Sequence, residues 1–220
     1  MKRIGVTQRV TTALYGQPHD CLDQAWADLF VVLNAALAPL PNLEAAPEKI
    51  AAYLGAAQLD GFILSGGNDI AGLADEARGS QVSLRRDDFE RAVIAYARAR
   101  NVPLLGVCRG MQFLNMDLGG KLTPVEGHAG VRHRIKKTGE TLPAYLDAAP
   151  DEIEVNSYHS YAIAAEGLAP DLIAAATDSD GHVEAFFHPA EPLAGIMWHP
   201  ERETSATETD KRLMTAFLGL

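Results

Sequence analysis

A cysteine set between two glycines, where an apolar run gives way to an amphipathic one, has the surroundings of a nucleophile. Leu104-Leu105-Gly106-Val107-Cys108-Arg109-Gly110-Met111-Gln112 puts a strand, a Gly-x-Cys-x-Gly turn and a helix in immediate succession. A strand reversing sharply into a helix crowds its neighbours, and residues without bulk let such a turn close. Cys108 then heads a helix, whose unpaired amides and dipole favour a thiolate over a thiol. The Arg109 amide points at the oxygen of an attacked carbonyl and supplies one half of an oxyanion hole. The competing reading is a buried structural cysteine, the commonest state of a free thiol. The strand-turn-helix setting favours the nucleophile.

A thiol nucleophile needs a base to take its proton and later an acid to protonate the leaving group. Imidazole does both near neutrality. Leu193-Ala194-Gly195-Ile196-Met197-Trp198-His199-Pro200-Glu201 is an apolar strand ending in His-Pro-Glu. His199 and Glu201 flank Pro200 in an extended segment, so they project the same way, and a carboxylate there can fix the tautomer of the imidazole. Alone, His199 would read as a histidine in an ordinary turn; beside the cysteine elbow it reads as the base. Gly61-Phe62-Ile63-Leu64 empties into Ser65-Gly66-Gly67-Asn68-Asp69, a loop whose glycines permit close backbone approach to a substrate.

These groups need a scaffold, and the chain alternates short apolar runs with longer helical segments. Lys2–Thr7 reads as a strand, followed by a helix from Cys21 to about Leu37 capped by Asp20 and ended by Pro39-Leu40-Pro41. Pro47 opens a helix to about Gln58; Gly61–Leu64 is a strand, Arg86–Arg100 a helix and Val102–Val107 a strand. The helix after Cys108 runs to about Leu118, where Gly119-Gly120 stops it. Ile153–Val155, Leu172–Thr177, Val183–His188 and Leu193–Trp198 read as strands, the last two adjacent and antiparallel, before a closing helix over Thr207–Leu218. The expected fold is α/β: a mostly parallel, doubly wound sheet with helices on both faces and added antiparallel strands in the second half. With no composition break or linker, residues 1–220 are expected to form one domain.

Composition sets the limits. The 220 residues are 47% hydrophobic and 22% charged, which excludes a disordered or collagen-like chain. Nineteen basic against 29 acidic side chains give a net charge of −10, so nucleic acid is not an expected partner. Cys21 and Cys108 are the only cysteines and suit free thiols in a reducing compartment. No signal peptide and no run of roughly 18 to 20 apolar residues stands out, so a cytoplasmic protein without a membrane partner is expected. One basic island interrupts the acidity: Gly127-His128-Ala129-Gly130-Val131-Arg132-His133-Arg134-Ile135-Lys136-Lys137. It suits either an anionic leaving group or a solvated strand or loop. Its His128 and His133 have no cysteine or carboxylate ligand within the segment, and no metal is expected.

The cysteine segment resembles the signature of class I glutamine amidotransferases, and especially their stand-alone relatives, the γ-glutamyl hydrolases of peptidase family C26. Trp198-His199-Pro200-Glu201 is similar to the second signature, and Arg86-Asp87-Asp88-Phe89-Glu90 to a helix start of the hydrolase branch. The resemblance spans nearly the whole chain. It implies a triad of Cys108, His199 and Glu201, and an oxyanion hole of the Gly67 and Arg109 amides. It also implies a glutamyl site at Gly66, Gln112, Asn156, Ser157, Tyr158 and His159. For His159 a hydrogen-bonded structural role stands level with substrate contact. The implied reaction is hydrolysis of a γ-glutamyl amide through a γ-glutamyl thioester, with no cofactor. The Gly-His-x-x-x-Arg-His pattern is similar to a subgroup of surface-polysaccharide biosynthesis that releases CDP-amidate from its γ-glutamyl conjugate. γ-Glutamyl-γ-aminobutyrate hydrolysis, a glutaminase subunit partnered by a synthetase, and a non-catalytic binding module are the alternatives. The expected partner is a small-molecule γ-glutamyl conjugate, and a homodimer is left open.

Overall fold

The structure is a computed structural model that describes residues 1–73, 81–139, 143–147, 150–203 and 206–220. The strands of the first half are β1 (Arg3–Thr7), β2 (Arg9–Thr12), β3 (Pro18–Cys21), β4 (Ala36–Leu40), β5 (Gly61–Leu64) and β6 (Leu104–Val107). Those of the second are β7 (Thr123–Pro124), β8 (Ala129–Lys137), β9 (Glu152–Tyr158), β10 (Tyr161–Ala162), β11 (Ile173–Thr177), β12 (Val183–Phe187) and β13 (Leu193–Ile196). The helices are α1 (Gln24–Val32), α2 (Pro47–Ala57), α3 (Leu84–Arg100), α4 (Arg109–Asp117), α5 (Ala144–Asp147) and α6 (Glu208–Leu218).

Among the described residues nine strands form one sheet in the order β4-β1-β5-β6-β13-β12-β11-β8-β9. From β4 to β13 neighbours run parallel; from β13 to β9 they run antiparallel. The parallel centre is apolar because helices cover both of its faces. Alternate residues of one strand serve opposite cores: Ile63 and Leu105 pack with Trp26, Phe30, Leu213 and Met214, whereas Phe62, Leu64 and Leu104 pack with Ile50, Leu54, Phe89 and Val93. β12 and β13 are antiparallel neighbours, as their sequences suggest. No helix among the described residues is long and apolar enough to cross a membrane.

The first forty residues depart from expectation. Cys21 ends a strand instead of opening a helix; α1 starts later, under Asp23, whose carboxylate accepts from the Ala25 amide at 3.1 Å. Asp20, expected as the cap, accepts instead from the backbone and side-chain amides of Asn42 at 2.9 and 2.7 Å. The helix also stops short of Leu37. Asn34, at φ 51°, turns the chain, and Ala36–Leu40 becomes the parallel edge strand β4. Pro39 is tolerated there because one side of an edge strand needs no donors. The basic island is β8, a strand with mostly exposed residues.

Candidate active site

β6 ends at Val107, α4 begins at Arg109, and the whole reversal falls on Cys108 at φ 51°, ψ −108°. A side-chain-bearing residue is strained there, and the neighbours make the turn affordable. The Cys108 amide donates to the Ile196 carbonyl of β13 at 2.8 Å, and its carbonyl accepts from the Gln112 amide at 3.0 Å. A Cβ on Gly106 would stand 2.6 Å from the Met111 nitrogen, and one on Gly110 only 2.0 Å from the Leu64 oxygen. Both glycines are therefore demanded by backbone contact on either side of the thiol.

His199 follows the carboxyl end of β13, the end at which Ile196 meets Cys108. Its Nδ1 lies 2.7 Å from Glu201 Oε1. Asn156 on β9 clasps the histidine backbone, accepting from its N–H at 2.9 Å and donating to its carbonyl at 2.8 Å. Gly66 lies against the imidazole, because a Cβ there would sit 2.7 Å from His199 Cε1. The Tyr158 and His199 rings stand nearly perpendicular with centroids 5.6 Å apart, and the Arg202 guanidinium lies over the Tyr158 ring at 4.8 Å. Burial, the largest influence on His199, works against its charged form. The charge and hydrogen bond of Cys108, together with the Glu201 carboxylate, outweigh it and raise the imidazole pKa to about 9. His199 is thus coupled to Cys108 on one side and to Glu201 on the other.

The loop after β5 is held from behind by a cluster that sequence reading took only as a helix start. Arg86 on α3 is fully buried and donates to the carbonyls of Ser65 and Gly67, each at 2.7 Å, and of Gly66 at 3.2 Å. It also pairs with Glu90 at 2.9 Å, while Glu90 and Asp87 together take the buried guanidinium of Arg109. Burial pushes the Glu90 pKa up, but Arg109 and Arg86 hold it below the usual carboxylate range. A trans peptide sets its C=O and N–H opposite each other. With the Gly66 carbonyl turned to Arg86, the N–H of Gly67 faces away from it, at a glycine with φ 82°.

The remaining expected residues divide. Gln112 donates to the Tyr161 carbonyl at 2.8 Å, and Ser157 to the His128 carbonyl at 2.6 Å. His159 is buried among His128, His133 and Glu184. Of the Asn156–His159 segment, Asn156 and Tyr158 meet His199, and Tyr158 is exposed. The two arginines of the basic island are paired off: Arg132 with Glu203 at 3.0 Å and Glu154 at 3.2 Å, and Arg134 with Glu152 at 3.0 Å. Two other arginines border the glycine loop. Arg9 packs its stem on Gly67, and it shares a cavity with Ser65, Gly66, Gly67, Glu201 and Arg202.

A sheet of this order with a cysteine elbow at its centre is the class I glutamine amidotransferase fold, and comparison places the chain within it. Residues 3–201 match the family described as Peptidase C26, and the chain belongs to that family. It is 33% identical over 202 residues to the γ-glutamyl-CDP-amidate hydrolase of Campylobacter jejuni, covering 91% of this chain and 90% of that protein. It is 36% identical over 191 residues to protein NtpR of Enterococcus hirae, covering 78% of each. Among solved structures, a putative GMP synthase subunit from Thermoplasma acidophilum superposes with a TM-score of 0.70 at 21% identity, over 100% of this chain and 93% of that one. A glutamine amidotransferase of Thermotoga maritima does so with a TM-score of 0.64 at 18% identity, over 98% and 82%.

Proposed function

We propose that this chain is a cysteine-dependent γ-glutamyl amide hydrolase. The observation that carries the reading is the row of Cys108 at the head of α4, His199 and Glu201. The Cys108 thiolate attacks the γ-carbonyl, and the resulting oxyanion is met by the Gly67 and Arg109 amides. His199, protonated and oriented by Glu201, gives its proton to the departing amine as the tetrahedral intermediate collapses to a γ-glutamyl thioester. The neutral imidazole then takes a proton from water, whose oxygen attacks the thioester. Collapse of this second intermediate frees glutamate and the thiolate. Gly66, Gln112, Asn156, Ser157 and Tyr158 frame the glutamyl group, with Tyr158 as the exposed member, while His159 takes the structural role.

The leaving group we favour is a nucleotide phosphoramidate, as in γ-glutamyl-CDP-amidate. Support comes from the similarity to the Campylobacter jejuni hydrolase and from Arg9 and Arg202 beside the glycine loop, where an anionic leaving group would be drawn. The test is a competition among γ-glutamyl conjugates of a phosphoramidate nucleotide, of γ-aminobutyrate and of a polyamine, with free glutamine as reference. The expected order puts the phosphoramidate first, with no turnover by Cys108→Ala. Hydrolysis undiminished in that variant would sink the enzyme assignment. Comparable use of glutamine when a synthetase is added would move the chain to the glutaminase alternative, and preference for the aminobutyrate conjugate would overturn the phosphoramidate reading alone.

A further inference from the structure

Three histidines and a glutamate converge where one strand of the sheet stops. β11 ends at Thr177, which pairs with Val183 of β12 on one side and Lys136 of β8 on the other; β8 continues beyond it to Ala129. His128 precedes β8, His133 lies within it, His159 follows β9, and Glu184 belongs to β12. One ligand atom from each of the four lies within 4.8 Å of the others.

We propose that His128, His133, His159 and Glu184 form a structural binding site for one Zn2+ ion, using none of the Cys108, His199 and Glu201 side chains. Buried polar atoms normally have partners, and here several lack them together. His128 Nδ1, His133 Nε2, His159 Nε2 and both Glu184 oxygens are buried without a hydrogen bond, and Glu184 is only 1% exposed. His133 Nε2 stands 3.3 Å from Glu184 Oε2, and His159 Nε2 3.4 Å from Oε1. A tetrahedral ion with bonds of roughly 2.0–2.1 Å separates its ligand atoms by about 3.3–3.4 Å, so these spacings are those of ligands sharing a metal.

The outer contacts agree. His159 Nδ1 is 3.0 Å from the Tyr161 carbonyl, which can only accept. The ring proton therefore sits on Nδ1, and a neutral His159 turns the Nε2 lone pair toward a carboxylate oxygen. Two acceptors then face each other across 3.4 Å, a gap that either a metal ion or a second ring proton would have to bridge. His128 directs Nε2 toward Asp178 Oδ2 at 3.8 Å, leaving Nδ1 for the ion. Imidazole and carboxylate together suit Zn2+ better than Mg2+ or Ca2+, which take oxygen ligands. The carboxylate comes from β12, so the basic island read alone gives no sign of it. The ion would pin segments that also hold the base: Asn156 lies on β9, and the Glu184 carbonyl accepts from the Met197 amide at 2.8 Å.

The test uses full-length Cys108→Ser protein, which removes that competing thiolate, stripped with chelator and titrated with Zn2+ and separately with Co2+. We expect one equivalent of Zn2+ by elemental analysis, the intense visible absorption of tetrahedral Co2+, and a higher Tm on loading. X-ray absorption should show nitrogen and oxygen neighbours at roughly 2.0–2.1 Å and no sulfur. Glu184→Gln should lose the site. His133→Ala, less buried and so safer for folding, should weaken Zn2+ at least about tenfold with its circular dichroism unchanged. Failure to retain an equivalent, a sulfur neighbour, or equal affinity in His133→Ala would overturn the proposal and leave a cluster bridged by protons.

Discussion

Cys108 at φ 51°, ψ −108° makes a stability experiment possible that separates backbone strain from chemistry. Cys108→Ala and Cys108→Gly both remove the sulfur and its contact with His199. They differ in the Cβ, which is what makes this backbone region unfavourable. Relieving such strain is worth about 1–3 kcal/mol. Glycine gives back roughly 0.5–1 kcal/mol through the greater freedom of its unfolded chain. Cys108→Gly should therefore be the more stable by up to about 2.5 kcal/mol, with a Tm higher by about 2–4 °C per kcal/mol in a chain of this size. Urea unfolding followed by circular dichroism, with scanning calorimetry, reads both quantities. A Cys108→Ala protein more stable than Cys108→Gly would refute the claim that the elbow stores strain. Both variants should be inactive, so the comparison is free of any effect of turnover.

Other perturbations reach the same site from different sides. Because the folded state raises His199 from 6.5 to about 9, its contribution to stability is full below pH 6.5 and is lost as pH rises through about 9. The urea-unfolding free-energy gap between wild type and His199→Gln should shrink across that range, and a gap constant to pH 10 would contradict the shift. Gly66→Ala should lower kcat at least about tenfold while preserving the fold, since its Cβ would meet His199 Cε1 at 2.7 Å; kinetics beside an unchanged far-ultraviolet spectrum checks this. Arg86→Met leaves Glu90 with one guanidinium and frees three loop carbonyls, so it should destabilise by about 3–5 kcal/mol in chemical denaturation. Asn156→Ala removes both bonds to the His199 backbone and should reduce kcat more than it raises KM, as a positioning residue would.

Much of the site was legible because local backbone geometry forces particular residues into the sequence. Gly106 and Gly110 are fixed by contacts with Met111 and Leu64, and β5, β6 and β13 are short apolar runs because both faces are covered. The hairpin of β2 and β3 was not legible. Arg9-Val10-Thr11-Thr12 and Pro18-His19-Asp20-Cys21 carry no apolar alternation, since the pair stands outside the main sheet. β4 was hidden for the opposite reason, as Leu33 and Leu37 continue the helical period of α1 until Asn34 breaks it in the backbone. Arg86-Asp87-Asp88-Phe89-Glu90 reads only as a charged helix start, yet Arg86, Asp87 and Glu90 are buried. Partners distant in sequence, Arg109 and the carbonyls of the 65–67 loop, make that burial tolerable.

That cluster also bears on how the two proposed oxyanion amides keep their spacing. Two buried arginines and two carboxylates are a poor way to gain stability, since well-packed apolar residues of similar volume commonly do as well or better. Their geometry suggests positioning instead. Glu90 takes Arg86 through Oε1 and Arg109 through Oε2. Arg86 holds the carbonyls of the Gly66-Gly67 loop, and Arg109 is the residue after the nucleophile. One carboxylate therefore ties the loop bearing one amide to the turn bearing the other. Thr7 donates its hydroxyl to the same Oε1 at 2.6 Å and receives the Ser65 amide at 3.0 Å, joining β1 to the same frame. Donors fixed in this way before substrate arrives need no reorganisation when charge develops on the carbonyl oxygen, which is the condition under which such hydrogen bonds accelerate acyl transfer most.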